Sequence, residues 1–178
     1  EKRYVYNLSL TTSYFPAQTD AEIRDNTVGD LLREIATLHP NFVAMIEIDD
    51  AGEAHRRWTY SGLLATSDRL ARSLATRFAP GEKIVVWAPN VPEWVFMEYA
   101  CGLAGLVLVT ANPSFQSKEL LYVLEQSRAV GLVLVDEFRN NPMRKIAEKT
   151  IADIDGIREV INLSDDTTLH AKGDLEGE

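Results

Sequence analysis

The spacing of apolar positions changes along the chain. Residues 1–26 show no regular period and read as an extended arm. From Thr27 the pattern turns helical: Val28, Leu31, Leu32, Ile35 and Leu38 recur every three or four residues, which gathers them on one helix face. Thr27 with Asp30 resembles a capping box with a shorter acid, and His39-Pro40 stops the helix. Two short runs, Phe42–Ile48 and His55–Trp58, flank Asp49-Asp50-Ala51-Gly52 and read as a β-hairpin. Thr59 then caps a second helix. Its buried stripe is Leu63, Leu70, Leu74 and Phe78 with Ala71 and Ala75 alongside, Arg69, Arg72 and Arg77 lie towards the opposite side, and Pro80-Gly81 ends it.

Beyond Gly81 strands and helices alternate. Ile84–Ala88, Leu106–Val109, Leu132–Val135 and Val160–Leu163 are short, nearly continuous apolar runs, as strands buried on both faces require. Between them, Pro92 opens a helix running to about Gly105, and Ser117 caps one carrying Leu120, Leu121 and Leu124. Asn141-Pro142 opens a third, with Met143, Ile146, Ala147, Thr150 and Ile154. Strands separated by helices need crossovers, and those are right-handed almost without exception. The predicted fold class is α/β: an open, mainly parallel sheet with helices on both faces, preceded by a helix and a β-hairpin. The domain reading is an arm at 1–26, an α/β unit at 27–163, and an acidic tail at 164–178, expected to be mobile because it holds almost no apolar residues.

Composition narrows the function classes. With 178 residues, 46% hydrophobic and 25% charged, the chain can bury a core and is not disordered in type. A formal net charge of −9, with no dense run of Lys and Arg, argues against a nucleic-acid reader. One cysteine, Cys101, allows no intramolecular disulfide and suits the cytoplasm. The longest apolar stretch, Val95–Val109, contains Glu98, Gly102 and Gly105, so no transmembrane segment is expected. No apolar core follows Lys2-Arg3, as a signal peptide would need, and Glu1 in place of Met suggests a trimmed or processed chain.

Ligands of open parallel sheets bind outside the carboxyl ends of the strands. The residues there are Pro89-Asn90, Thr110-Ala111-Asn112-Pro113 and Asp136-Glu137. None forms a glycine-rich loop whose N–H groups could cradle phosphate. Gly102 and Gly105 lie late in a helix leading into a strand, which suits close packing and a helix end rather than a dinucleotide fingerprint. His39, His55 and His170 are scattered, and Cys101 has no partner cysteine, so no metal site is expected. Cys101 reads as a small apolar filler, Asp49-Asp50 as a solvated turn, and Trp58, Trp87 and Trp94 as core packing with the indole N–H satisfied.

Taken as a string, the chain resembles the adenylate-forming superfamily over residues 27–163. Trp58-Thr59-Tyr60-Ser61-Gly62-Leu63 is similar to its first core motif, with Gly62 where the family usually has Glu. Gly81–Asn90 with Pro92-Glu93-Trp94 resembles its strand and following turn, and Cys101–Pro113 its second core motif. The wording around Trp87–Asn90 and Asn112-Pro113 looks most like fatty-acyl-CoA synthetases. The resemblance implies an N-terminal fragment of an enzyme that activates a carboxylic acid with ATP and Mg2+ to an acyl adenylate, then passes the acyl group to CoA. The family's phosphate loop and C-terminal lysine fall beyond the matched region. No catalytic or metal-binding residue is therefore carried over, and the fragment is expected to be inactive and to bind none of these cofactors tightly. The resemblance names Thr110, Ala111, Asn112 and Pro113 as a CoA-proximal loop. It also implies apolar surface left uncovered, through which the fragment would self-associate. The other reading is a self-contained Rossmann- or flavodoxin-like ligand-binding or interaction module.

Overall fold

The computed structural model describes residues 11, 23–49, 51–152 and 154–170. Most of the expected arm, and residues 171–178 of the expected tail, therefore lie outside the described residues.

Helix α1 (Val28–Leu38) starts on the predicted capping box: Asp30 N–H donates to Thr27 Oγ1 at 3.1 Å and Thr27 N–H returns to the Asp30 carboxylate at 3.2 Å. Only part of its apolar arc is covered. Leu32 is buried, whereas Val28, Leu31 and Leu38 are each more than half exposed. The predicted stripe is therefore too wide: Gly29, Leu32 and Ala36 form the covered side. Strands β1 (Val43–Ile48) and β2 (Ala54–Thr59) make the expected antiparallel hairpin. Thr59 caps α2 (Tyr60–Ala75) by accepting from Gly62 N–H at 3.2 Å. With Gly at the third helical position, no side chain returns the bond.

The second sheet holds β3 (Lys83–Trp87), β4 (Val107–Ala111), β5 (Gly131–Leu134) and β6 (Glu159–Asn162), all parallel, in the order β4-β3-β5-β6. Helices α3 (Pro92–Ala104), α4 (Ser117–Ser127) and α5 (Met143–Ile151) are the crossovers. α1, α2 and α3 pack together, and α4 packs on α5. Right-handed crossovers running in opposite directions from β3 put these two groups on opposite faces. β3 and β5 are buried along their length, from Ile84 to Trp87 and from Leu132 to Leu134. β4 is an edge strand, which is why it carries the polar, exposed Thr110 and why Val107 is 44% exposed.

Three local expectations are corrected. The α4 cap is Gln116 rather than Ser117, with Gln116 N–H bonded to Glu119 Oε2 at 3.1 Å. Gly102 serves helix–helix contact with Val28 and Gly29, not helix–sheet packing. Gly105 does end α3, in the left-handed conformation at φ 70°. Of the residues placed in the tail, Asp166–Leu169 form a short helix, α6, with Leu169 buried. Arg77 accounts for that. Its side chain is 7% exposed and not on an outer face, and it donates to the carbonyls of Thr168 and Leu169 at 3.0 and 3.1 Å.

At the amino ends of the strands, Arg158 forks onto Glu82 with two 2.7 Å bonds, and Ala79 N–H adds a third at 2.9 Å. The Arg158 bonds are the chief cause, and Ala79 N–H the next, of a Glu82 pKa lowered from 4.5 to about 2. The folded state thus binds this proton less readily than the unfolded chain. The contribution is complete above pH 4.5 and fades as the pH falls towards 2. Urea titrations between pH 6 and pH 2.5 are expected to show a shallower acid loss in Glu82→Gln than in the parent, and a lower stability at pH 6. Asp30, Glu47, Asp49, Asp136 and Asp165 are lowered in the same direction, so some acid loss persists. Equal slopes in the two proteins would refute the role of this pair.

Candidate functional site

The strand order reverses between β3 and β5, so their carboxyl ends flank the crevice where such sheets place ligands. Three loops surround it: Ala88–Val91 after β3, Asn112–Gln116 after β4, and Val135–Pro142 after β5.

The β4 loop is tightly braced. Trp87 is fully buried at the end of β3, and its indole Nε1–H donates to the Asn112 carbonyl at 2.8 Å. The same oxygen accepts from Phe115 N–H at 2.9 Å. The Asn112 side-chain oxygen accepts from Ser114 N–H at 2.9 Å, an Asx turn. From the β5 loop, Asn141 Nδ2 donates to the carbonyls of Pro113 at 3.0 Å and Phe115 at 3.4 Å, and its Oδ1 accepts from Gln116 Nε2 at 2.9 Å. Of the sequence-predicted positions, Ala111 is buried, Pro113 half-buried, and Thr110 and Asn112 exposed. The Thr110 hydroxyl and Asn112 Nδ2 have no partner among the described residues, so they are free to meet a polar ligand.

The ionisable groups nearby are committed elsewhere. Asp136 accepts from Arg144 Nε at 2.5 Å and from Asn162 Nδ2 at 3.0 Å. The Arg144 bond, reinforced by Asn162, holds its carboxyl below the usual range, so Asp136 is a poor proton acceptor. Burial pushes the Cys101 thiol up to about 12, which fits a packed filler and not a nucleophile. His55 pairs with Asp49 at 2.8 Å on the hairpin, and His39 stacks on Phe42. Among the described residues no group of three or more His, Cys, Asp or Glu could hold a metal ion. The Mg2+ implied by the resemblance finds no such ligand set among these residues. No helix among them is long and apolar enough to cross a membrane.

Two features escaped the sequence reading. One is the brace from Asn141 and Gln116, since Asn141-Pro142 signalled only a helix start. The other is an apolar hollow of about 380 Å3 between β1 and the start of α3, walled by Met45, Ile46, Ile48, Val91, Trp94 and Val95. Arg56 fixes the hairpin to α3 beside it, bonding Glu47 at 2.6 and 2.9 Å and Glu93 at 2.8 Å.

The parallel sheet, its crossover helices and the preceding hairpin define an adenylate-forming architecture, and the chain belongs to the AMP-binding enzyme family, whose model matches residues 32–176. YngI of Bacillus subtilis (strain 168) is 30% identical over 135 residues, covering 75% of this chain and 24% of that protein. The mitochondrial medium-chain acyl-CoA ligase ACSF2 of Rattus norvegicus is 29% identical over 144 residues, 80% of this chain and 23% of its own length. Among solved structures, apo MbtA of Mycobacterium smegmatis superposes with a TM-score of 0.71 at 27% identity, covering 87% of this chain and 29% of that one. The chain spans about a quarter of the length of the curated relatives it matches.

Proposed function

We propose that this chain is the N-terminal portion of a fatty-acyl-CoA ligase. In the complete enzyme a fatty carboxylate attacks ATP, giving acyl adenylate and pyrophosphate. The CoA thiolate then attacks the acyl carbon, and AMP leaves. The observation that carries this reading is the family match over residues 32–176 together with an acyl-CoA ligase among the relatives. The part contributed here is the parallel-sheet framework and the Thr110–Pro113 loop, which we assign to the CoA side on the family resemblance and which offers two unpartnered polar groups there. The reading places the enzyme in the cytoplasm, where a lone buried cysteine stays reduced.

Both bond-making steps are assigned to residues outside this chain. The purified 178-residue protein is therefore expected to give no ATP–pyrophosphate exchange with fatty acids and no tight, saturable calorimetric signal with ATP or CoA. Measurable exchange would overturn the inactivity, and tight nucleotide binding would favour a self-contained module.

The uncovered α1 stripe and the open β4 edge also support self-association of the isolated chain. Val28, Leu31, Leu38, Phe42 and Ile48 are all more than half exposed. Sedimentation is expected to show reversible, concentration-dependent association. A monomer at all concentrations would contradict it.

A further inference from the structure

We propose that Asn141 is a positioning residue that holds the β4 loop in the shape in which it meets the thiol cosubstrate. The proposal rests on the CoA-side assignment above and deepens it.

Its starting point is the turn that presents Asn141. Phe138 and Asn141 exchange backbone bonds at 3.1 and 2.8 Å, closing a two-residue turn. Both central residues, Arg139 at φ 47° and Asn140 at φ 64°, are left-handed without being glycine. Asn tolerates that conformation, whereas Arg is strained in it. Such strain persists where the surroundings over-determine it, and it gathers at functional sites.

What the turn delivers is one planar amide that satisfies three groups of another loop. Asn141 Nδ2 spends its donors on the carbonyls of Pro113 and Phe115, and Oδ1 takes the Gln116 amide. Trp87 and Phe115 N–H converge on the carbonyl of Asn112. The backbone oxygens of residues 112, 113 and 115 are thus all fixed by donors, two of them from Asn141, although Asn112 itself is exposed and outside the core. Exposed loops ordinarily leave such carbonyls to water. Here they are turned inward, while the Thr110 hydroxyl and Asn112 Nδ2 stay unpartnered.

Asn141→Asp tests this with almost no change in volume. It replaces two donors by a carboxylate facing two carbonyl oxygens but keeps the acceptor for Gln116. Gln116→Ala removes one of the three Asn141 bonds, along with the side chain that caps α4, and serves as the milder comparison for the loop. In the enzyme expressed from its whole reading frame, Asn141→Asp is expected to raise the KM for CoA about tenfold, the scale of losing two neutral hydrogen bonds. ATP–pyrophosphate exchange should stay within about twofold, since it reads the adenylation step alone. Amide exchange at Ser114 and Phe115 should quicken by a similar factor of about ten, and Gln116→Ala should show a smaller change in both readouts. Unchanged amide exchange in Asn141→Asp would overturn the positioning role. Faster exchange with an unchanged KM for CoA would overturn the link to the cosubstrate. If the parent enzyme itself forms no adenylate from ATP and a fatty acid, the ligase reading falls, and amide exchange alone decides whether Asn141 holds the loop.

Discussion

Replacing Trp87 by Ala is expected to lower the folding free energy by about 4 kcal/mol, near the middle of the range for deleting a buried aromatic. Trp87 is completely buried at the end of β3, a central strand paired with β4 on one side and β5 on the other. The cavity would open where both neighbours are hydrogen-bonded in place, so little collapse can refill it. Against a typical domain stability of about 5–15 kcal/mol the loss is a large fraction. Trp87→Phe separates packing from hydrogen bonding. It keeps most of the apolar bulk and removes only the Nε1–H donor to Asn112. Because that carbonyl retains Phe115 N–H, the expected cost is about 1 kcal/mol, with faster amide exchange confined to the β4 loop. Urea denaturation of the three proteins checks both numbers. A loss below about 1.5 kcal/mol for Trp87→Ala, well under the usual aromatic deletion range, would mean that the indole is not packed as described.

The order of strands and helices was legible because buried parallel strands leave continuous apolar runs such as Ile84–Trp87. The α1 cap was legible because Thr27 and Asp30 interact across three residues. The α1 stripe was legible as a pattern, but how much of it is covered depends on where α2 and α3 lie. The apolar run puts the end of β4 at Val109, but the strand runs to Ala111, because an edge position lets an exposed Thr110 continue a ladder. Ser117 has the better capping propensity, yet Gln116 caps α4, with its side-chain amide held by Asn141 from 25 residues away. The braces of the candidate site are all of this kind. Trp87 was expected to satisfy its N–H, but its acceptor on Asn112 is fixed only by the β3–β4 register. Nothing local marks Asn141 as a partner of Pro113.

Arg77 is the sharpest instance, and its replacement by Ala is expected to cost about 3 kcal/mol, the low end for removing one partner of a buried ion pair. Helical spacing set it beside Arg69 and Arg72. Instead it lies just beyond α2, and its guanidinium is 93% shielded, with acceptors 82 to 92 residues away in sequence. Nη1 bonds Glu159 at 3.1 Å and the Thr168 carbonyl at 3.0 Å, while Nη2 bonds Ser73 Oγ at 3.0 Å and the Leu169 carbonyl at 3.1 Å. These last two carbonyls close α6, so one side chain joins α2, β6 and α6. The low end applies because Glu159 is 33% exposed and can regain water and the Leu169 carbonyl retains the longer bond from Ser73 Oγ at 3.4 Å, whereas the Thr168 carbonyl loses its fixed donor. Arg77→Lys keeps the charge but not the planar fork, and a point charge cannot serve divergent acceptors at once. It is expected to recover less than half of the loss. The local signature is in α6: the amides of Leu169 and His170, bonded to Asp165 and Asp166, should lose exchange protection in both variants, more than those of β3. A four-residue helix has no stability of its own, so with its anchor gone it should fray ahead of the core. Full recovery by Lys would show that charge alone holds α6, and unchanged protection of those two amides in Arg77→Ala would show that the buried Leu169 side chain suffices without the guanidinium.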